Sequence, residues 1–160
     1  MKMYEYIIII FIIGFIFSLI EKLLFKEKQN SKTIYSKKKL MTESEYNFYL
    51  KLKDLEIKYN YKIIPQINLA SIIKKNNNTY YYTDLFRNID YALLSSDYQE
   101  VLVLIELNDK SHNTKKRRKR DSKVEEICND VGIPLLKFYT YYDNDKEYVI
   151  NRILKTINRN

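Results

Sequence analysis

The chain has 160 residues, room for one ordinary domain and an appendage. Its formal net charge of +8 favours polyanionic partners, either nucleic acid or anionic lipid. A single cysteine, Cys128, excludes an intramolecular disulfide and any multi-cysteine zinc site.

The first predicted element is a membrane span. Ile7 to Ile20 is apolar except for Ser18, with Gly14 in its middle, and the run extends from Tyr4 to Phe25. That length crosses a hydrocarbon core, which takes about 20 residues. Lys2 is the only basic side chain before the run and no A-x-A-like cleavage site follows it, so an uncleaved anchor over 4–25 is expected rather than a signal peptide. Lys22, Lys26, Lys28, Lys32 and Lys37 to Lys39 crowd its C-terminal flank. The positive-inside rule then gives a single-pass protein of the cell membrane with its C-terminal part in the cytoplasm. Residues 26–39 read as a basic juxtamembrane linker and 40–160 as a globular domain.

Thr42 with Glu45 three residues on has capping-box spacing. The helix it opens puts Glu45, Phe48, Tyr49, Leu52 and Leu55 on one stripe. An acid at the head of a core stripe is either the capping partner or an inward carboxylate, and the two roles are compatible. Residues 61–69 read as a strand, with Pro65 demanding an edge position or a bulge. A polar loop, 74–79, leads to a hairpin over about 88–107. With Asp97-Tyr98-Gln99 as its loop, Ser96 faces Glu100 and paired residue numbers sum to 196. Asp90 then lies opposite Glu106. Thr114 to Val131 reads as a helix with Val124, Ile127, Cys128 and Val131 on its apolar face and Gly132 as its stop. A strand, 133–139, and a last helix, 145–157, complete the order helix, strand, strand, strand, helix, strand, helix. Such an order packs a small sheet between helices.

Cross-strand partners have Cβ atoms about 4.5–5.5 Å apart. Two carboxylates that close repel unless they share a proton or a cation, and a divalent metal is the usual reason to pair them. Two solvent-facing acids on an ordinary hairpin are the competing reading. Lys115, Lys116, Arg117, Arg118, Lys119 and Arg120 open the helix just beyond the acid end of the hairpin. Helix N-termini favour anions, so the run is either a solvated face or a phosphate contact. Arg120 and Asp121 share the apolar stripe and are expected to point towards the sheet, whereas Lys116, Arg118 and Lys119 are expected outside. Acids holding a cation beside guanidinium groups suit a phosphodiester. His112, the single histidine, is a general base, a phosphate contact or a structural hydrogen-bonding residue.

A family resemblance rests on several of these segments together. They are Leu40-Met41-Thr42-x-x-Glu45, Ile64-Pro65-Gln66-Ile67, Ile89-Asp90-Tyr91, Ile105-Glu106-Leu107-Asn108-Asp109-Lys110-Ser111-His112, Arg120-Asp121 and Gly132-Ile133-Pro134-Leu135-Leu136. Residues 38–140 resemble the bacterial domain-of-unknown-function family 2726 (DUF2726). That family looks related to the PD-(D/E)XK superfamily of restriction-endonuclease-like nucleases, whose α-β-β-β-α-β core matches the predicted order. The resemblance implies Glu45 as the first-helix acid, and Asp90 and Glu106 as metal-binding acids of the second and third strands. It also exposes a departure. Two places after the third-strand acid the nucleases carry Lys and this family usually Asp, but here stands Asn108. Its amide oxygen can bind a metal or a water, but it supplies no charge. Lys110, in the loop that follows, is a candidate to take over the cationic role.

The expected protein is therefore an anchored α/β domain with a restriction-endonuclease-like core, Mg²⁺ on Asp90 and Glu106, and metal-dependent phosphodiester hydrolysis or nucleic-acid processing. Glu45, Asn108 and His112 complete the expected catalytic set, with Lys110 and Lys115–Arg120 contacting nucleic acid. No small-molecule cofactor is expected. Two alternatives stand beside the enzyme: an inactive nuclease-fold module that holds nucleic acid at the membrane, and a domain that binds anionic lipid or a partner protein.

Overall fold

A computed structural model describes residues 3–29, 35–76, 83–109 and 115–159. The chain divides into two compact units, Met1–Lys38 and Lys39–Asn160. In the first, helix α1 runs Met3–Gln29. Its stretch Tyr6–Leu24 has mean hydropathy 2.6, is not buried, and is long and apolar enough to cross a membrane. The helix continues through residues 26–29, where the composition suggests a linker, because nothing in Lys-Glu-Lys-Gln breaks it.

In the second unit, α2 (Glu43–Tyr59) starts at a full capping box: the Thr42 hydroxyl accepts from the Glu45 N–H, and the Glu45 carboxylate accepts from the Thr42 N–H. It stops at Asn60, whose left-handed φ of 56° ends the helical hydrogen bonding. Strand β1 (Lys62–Asn68) passes into a single 3-10 turn, Leu69–Ser71, whose first residue the sequence pattern assigns to the strand. Strands β2 (Asn88–Leu94) and β3 (Val101–Asn108) form the hairpin. Helix α3 (Lys115–Asp130), strand β4 (Leu135–Tyr139) and helix α4 (Lys146–Ile157) follow. Helix α3 ends one residue before Val131, which is exposed rather than part of the apolar face. Gly132, at φ 71°, supplies the left-handed stop.

The sheet order is β1-β2-β3-β4, with the first three strands antiparallel and β3 parallel to β4. Pro65 sits on the outermost strand, where the N–H it lacks is not missed. One set of core residues joins α2 (Phe48, Leu52, Leu55) and α4 (Val149, Ile153) to Tyr91, Leu93, Val103, Ile105 and Phe138. A second set joins α3 (Val124, Ile127, Cys128) to Ala92, Leu94 and Leu104. The sheet is thus covered on both faces, a mixed α/β arrangement.

The hairpin register holds by an unexpected route. Tyr91↔Ile105, Ala92↔Leu104 and Leu93↔Val103 sum to 196 as expected, but Leu94 pairs with Val101 across a bulge. The turn is closed by the Ser95 N–H donating to the Glu100 carbonyl at 2.9 Å, so Ser96 does not face Glu100. A four-residue turn fits here because Tyr98 takes a φ of 64° and the Ser95 and Asp97 side chains tie the turn to itself. The bulge then absorbs the one-residue offset.

Candidate functional site

The site forms where the strand ladders come apart. Between β1 and β2 the pairs Pro65↔Tyr91 and Ile67↔Ile89 skip Gln66 and Asp90. Gln66 has a φ of 54°, a left-handed conformation uncommon for a side chain of this size. The Leu107 N–H, just past the last β2–β3 pair, donates to Asp90 Oδ2 at 2.7 Å. A side chain therefore replaces a backbone partner at the end of the hairpin.

Glu45 reaches this opening from the first turn of α2. Its Oε2 holds the Thr42 N–H at 2.5 Å and its Oε1 accepts from Gln66 Nε2 at 3.3 Å. The Tyr91 hydroxyl donates to the Glu45 carbonyl at 2.5 Å and fixes that turn against β2. Capping and site roles coincide in one residue. Glu45, Asp90, Glu106 and Asn108 all line one cleft of about 430 Å³, together with Phe86, Arg87, Asn88, Leu107, Arg120, Asp121 and Val124.

Its electrostatics are those of a crowded acid site. Burial, with the Glu45 charge adding, pushes the Asp90 pKa up to about 6 against the pull of the Leu107 N–H. Burial and then the Asp90 charge push Glu106 up to about 7, with Lys137 and Arg120 pulling the other way. Lys137 is the register partner of Glu106 on β4, and its ammonium is held by Glu125 of α3. Arg120 lies 3.5 Å from Asp121 Oδ1. Cys128 is pushed up to about 11 by burial and by Glu106 and Glu125, which suits a core thiol and not a nucleophile.

The other expected residues divide. Arg120 and Asp121 line the cleft, but Arg120, expected to point towards the sheet, is exposed like Lys119 on α3. Lys115, Lys116, Arg117 and Arg118 form the opening turn of α3, with side chains outside the described structure. Lys110 and His112 lie outside the described residues. Sequence reasoning did not assign site roles to Gln66, Phe86, Arg87 or Lys137. Gln66 follows a proline on an edge strand, a place where bulges concentrate, and that signal was available. Lys137 was hidden, because the pairing of two strands separated by a helix has no local sequence mark.

Over residues 37–157 the chain matches the family described as "Protein of unknown function (DUF2726)". The chain belongs to the DUF2726 family. A curated relative of this DUF2726 chain is an uncharacterized protein of Haemophilus influenzae, 24% identical over 123 residues. The alignment covers 76% of this chain and 64% of the relative, so the chain spans under two thirds of the relative's length. No solved structure matches the chain.

The donor set decides which metal the cleft could suit. No three His, Cys, Asp or Glu side chains among the described residues are set to hold one ion. Asp90 and Glu106 offer two carboxylates, Asn108 an amide oxygen, and no described sulfur or imidazole lines the cleft. An all-oxygen set with two acids fits Mg²⁺, which keeps several waters and takes further ligands from substrate phosphate.

Proposed function

We propose that this DUF2726 domain is a restriction-endonuclease-like (PD-(D/E)XK) module that cleaves or processes nucleic acid with Mg²⁺, and that α1 anchors it to the cytoplasmic face of the cell membrane. One observation carries the reading: Asp90 and Glu106, both half-buried and both pushed towards the neutral form, share a cleft with Arg87 and Arg120. A cation between such acids relieves their repulsion and recovers the cost of their burial. Bound there, it would polarise a phosphoryl oxygen and acidify a water. Asp90 is held in place by the Leu107 N–H, and Glu45 by Thr42 and Gln66, so two of the acids are pre-positioned. Arg87, Arg120 and the start of α3 supply the positive charge that a phosphodiester backbone requires. The lysine-rich flank of α1 supports the cytoplasmic placement.

The full chain in detergent, titrated with Mg²⁺ and Mn²⁺ against labelled DNA and RNA, tests this. Cleavage should appear with metal and disappear in Asp90→Ala and Glu106→Ala. Asn108→Asp, restoring the acid that the resemblance implies, should raise the rate. Absence of metal-dependent cleavage in both wild type and Asn108→Asp would overturn the enzyme. A neutral Asn108 in the cleft favours a second reading, an inactive module that binds nucleic acid at the membrane. That reading predicts binding in chelator that survives Asp90→Ala.

A further inference from the structure

Phe86 is the one aromatic side chain among the described residues that line the acid cleft, and it is 62% exposed. Its backbone is tightly held. The Arg87 N–H donates to the Leu85 carbonyl at 2.8 Å, closing a three-residue turn with Phe86 at its apex. Both ends of that turn are tied to the 3-10 turn behind it. The Ala70 N–H donates to the Leu85 carbonyl at 3.1 Å and the Leu69 N–H to the Arg87 carbonyl at 2.8 Å. Leu85 and Leu69 are buried, and Asn68 Nδ2 meets Asn88 Oδ1 at 2.9 Å just beyond. A turn anchored on two buried leucines presents a phenyl ring to water beside a charged cleft, with Arg87 next to it.

Such a ring is not needed for folding, since its neighbour Leu85 already anchors the segment. An exposed apolar ring on a fixed backbone binds at low entropic cost. Every nucleobase has a face that stacks on an aromatic ring, and a guanidinium one residue along matches the phosphate joined to it. A base inside a duplex is already stacked on its neighbours and offers no free face.

We propose that Phe86 and Arg87 form a base-and-phosphate contact that selects unpaired nucleic acid, a single strand or a frayed end, for the cleft. The inference rests on the proposed function and names the substrate class of that same site. Arg87 takes the phosphate, Phe86 takes the base, and the neighbouring phosphodiester lies towards Asp90 and Glu106.

Fluorescent 12-mers containing 2-aminopurine, as single-stranded DNA, single-stranded RNA and duplex DNA, test it with the full chain in detergent and chelator. Phe86→Ala and Phe86→Leu should each weaken single-strand binding by about tenfold and abolish the stacking-induced change in 2-aminopurine fluorescence. Phe86→Trp should retain both, and duplex affinity should not respond to any of the three. Arg87→Gln should lower the slope of log affinity against log salt by about 0.7 on single strands. Far-UV circular dichroism should be unchanged throughout. Single-strand affinity equal to wild type in Phe86→Ala and Phe86→Leu, or an equal loss on duplex, overturns the inference. If wild type still cleaves with Mg²⁺ in that case, the proposed function stands alone. If wild type neither binds nor cleaves any of the three probes, the proposed function fails and takes this inference with it.

Discussion

Asp90 and Glu106 are harder to ionise in the folded chain than in the unfolded one, with pKa values raised to about 6 and about 7. Between about pH 4 and these values the folded chain therefore holds more protons than the unfolded chain. The stability this contributes is complete below about pH 4 and is lost as pH rises through the folded values. Thermal melts should show the domain less stable at pH 8 than at pH 5, by roughly 2–3 kcal/mol for a two-unit shift. Asp90→Asn and Glu106→Gln should each remove part of that slope. Mg²⁺ should raise the wild-type melting temperature at pH 8 and leave that of Asp90→Asn unchanged, by linkage to ionised carboxylates. Strand alternation and a hairpin sum single out Asp90 and Glu106; the observed ladder stops at Tyr91↔Ile105, short of that pair, and both acids line one cleft. What surrounds them was not legible in the sequence. The Leu107 N–H on Asp90 and the charge of Lys137 near Glu106 depend on where ladders end and which strands adjoin.

The elements themselves were easier to read than their connections. Helix α2 announces itself by Thr42 and Glu45 and closes at Asn60, because caps are local chemistry. Thr42→Ala should cost about 1 kcal/mol in urea unfolding. It removes the hydroxyl that accepts from the Glu45 N–H and leaves the Glu45 carboxylate its bonds from the Thr42 backbone N–H and Gln66. The β2–β3 hairpin shows the limit of the sequence. Its register from Leu93↔Val103 to Tyr91↔Ile105 is the expected one, yet its turn is not, since a bulge at Leu93/Leu94 compensates for the longer loop. No pattern of apolar residues marks that bulge, because both faces of β3 are covered and alternation is lost. The Phe86 turn was equally hidden, being defined by backbone bonds to a 3-10 turn whose first residue reads as strand.

For the whole molecule, charge and hydropathy set where it sits and what approaches it. With lysines following α1, a reporter fused to the C-terminus should be active only in its cytoplasmic form, and strong activity of an exported reporter would refute the proposed topology. If the domain binds nucleic acid as proposed, neutralising Lys115, Lys116, Arg118 and Lys119 together should weaken that binding across all sequences. The salt slope on duplex should flatten by about 0.9 for each phosphate that the variant no longer neutralises, as filter binding at several salt concentrations would read.

Consider last the outer margin of β4. Arg152 Nη1 donates to the Lys137 carbonyl at 3.2 Å and Asn144 Nδ2 to the Tyr139 carbonyl at 2.9 Å. At the opposite margin β1 carries Pro65 and the left-handed Gln66. Both borders of the sheet are therefore poor templates for a further strand. If α1 tethers the domain to a bilayer as proposed, copies meet far more often than in free solution, and sticky borders would cross-link neighbours into β-aggregates. Arg152→Ala uncovers one carbonyl of β4 and should speed thioflavin-positive aggregation on concentration. On this view, two hydrogen bonds at the sheet's border, outside the cleft, help decide whether crowded copies stay separate.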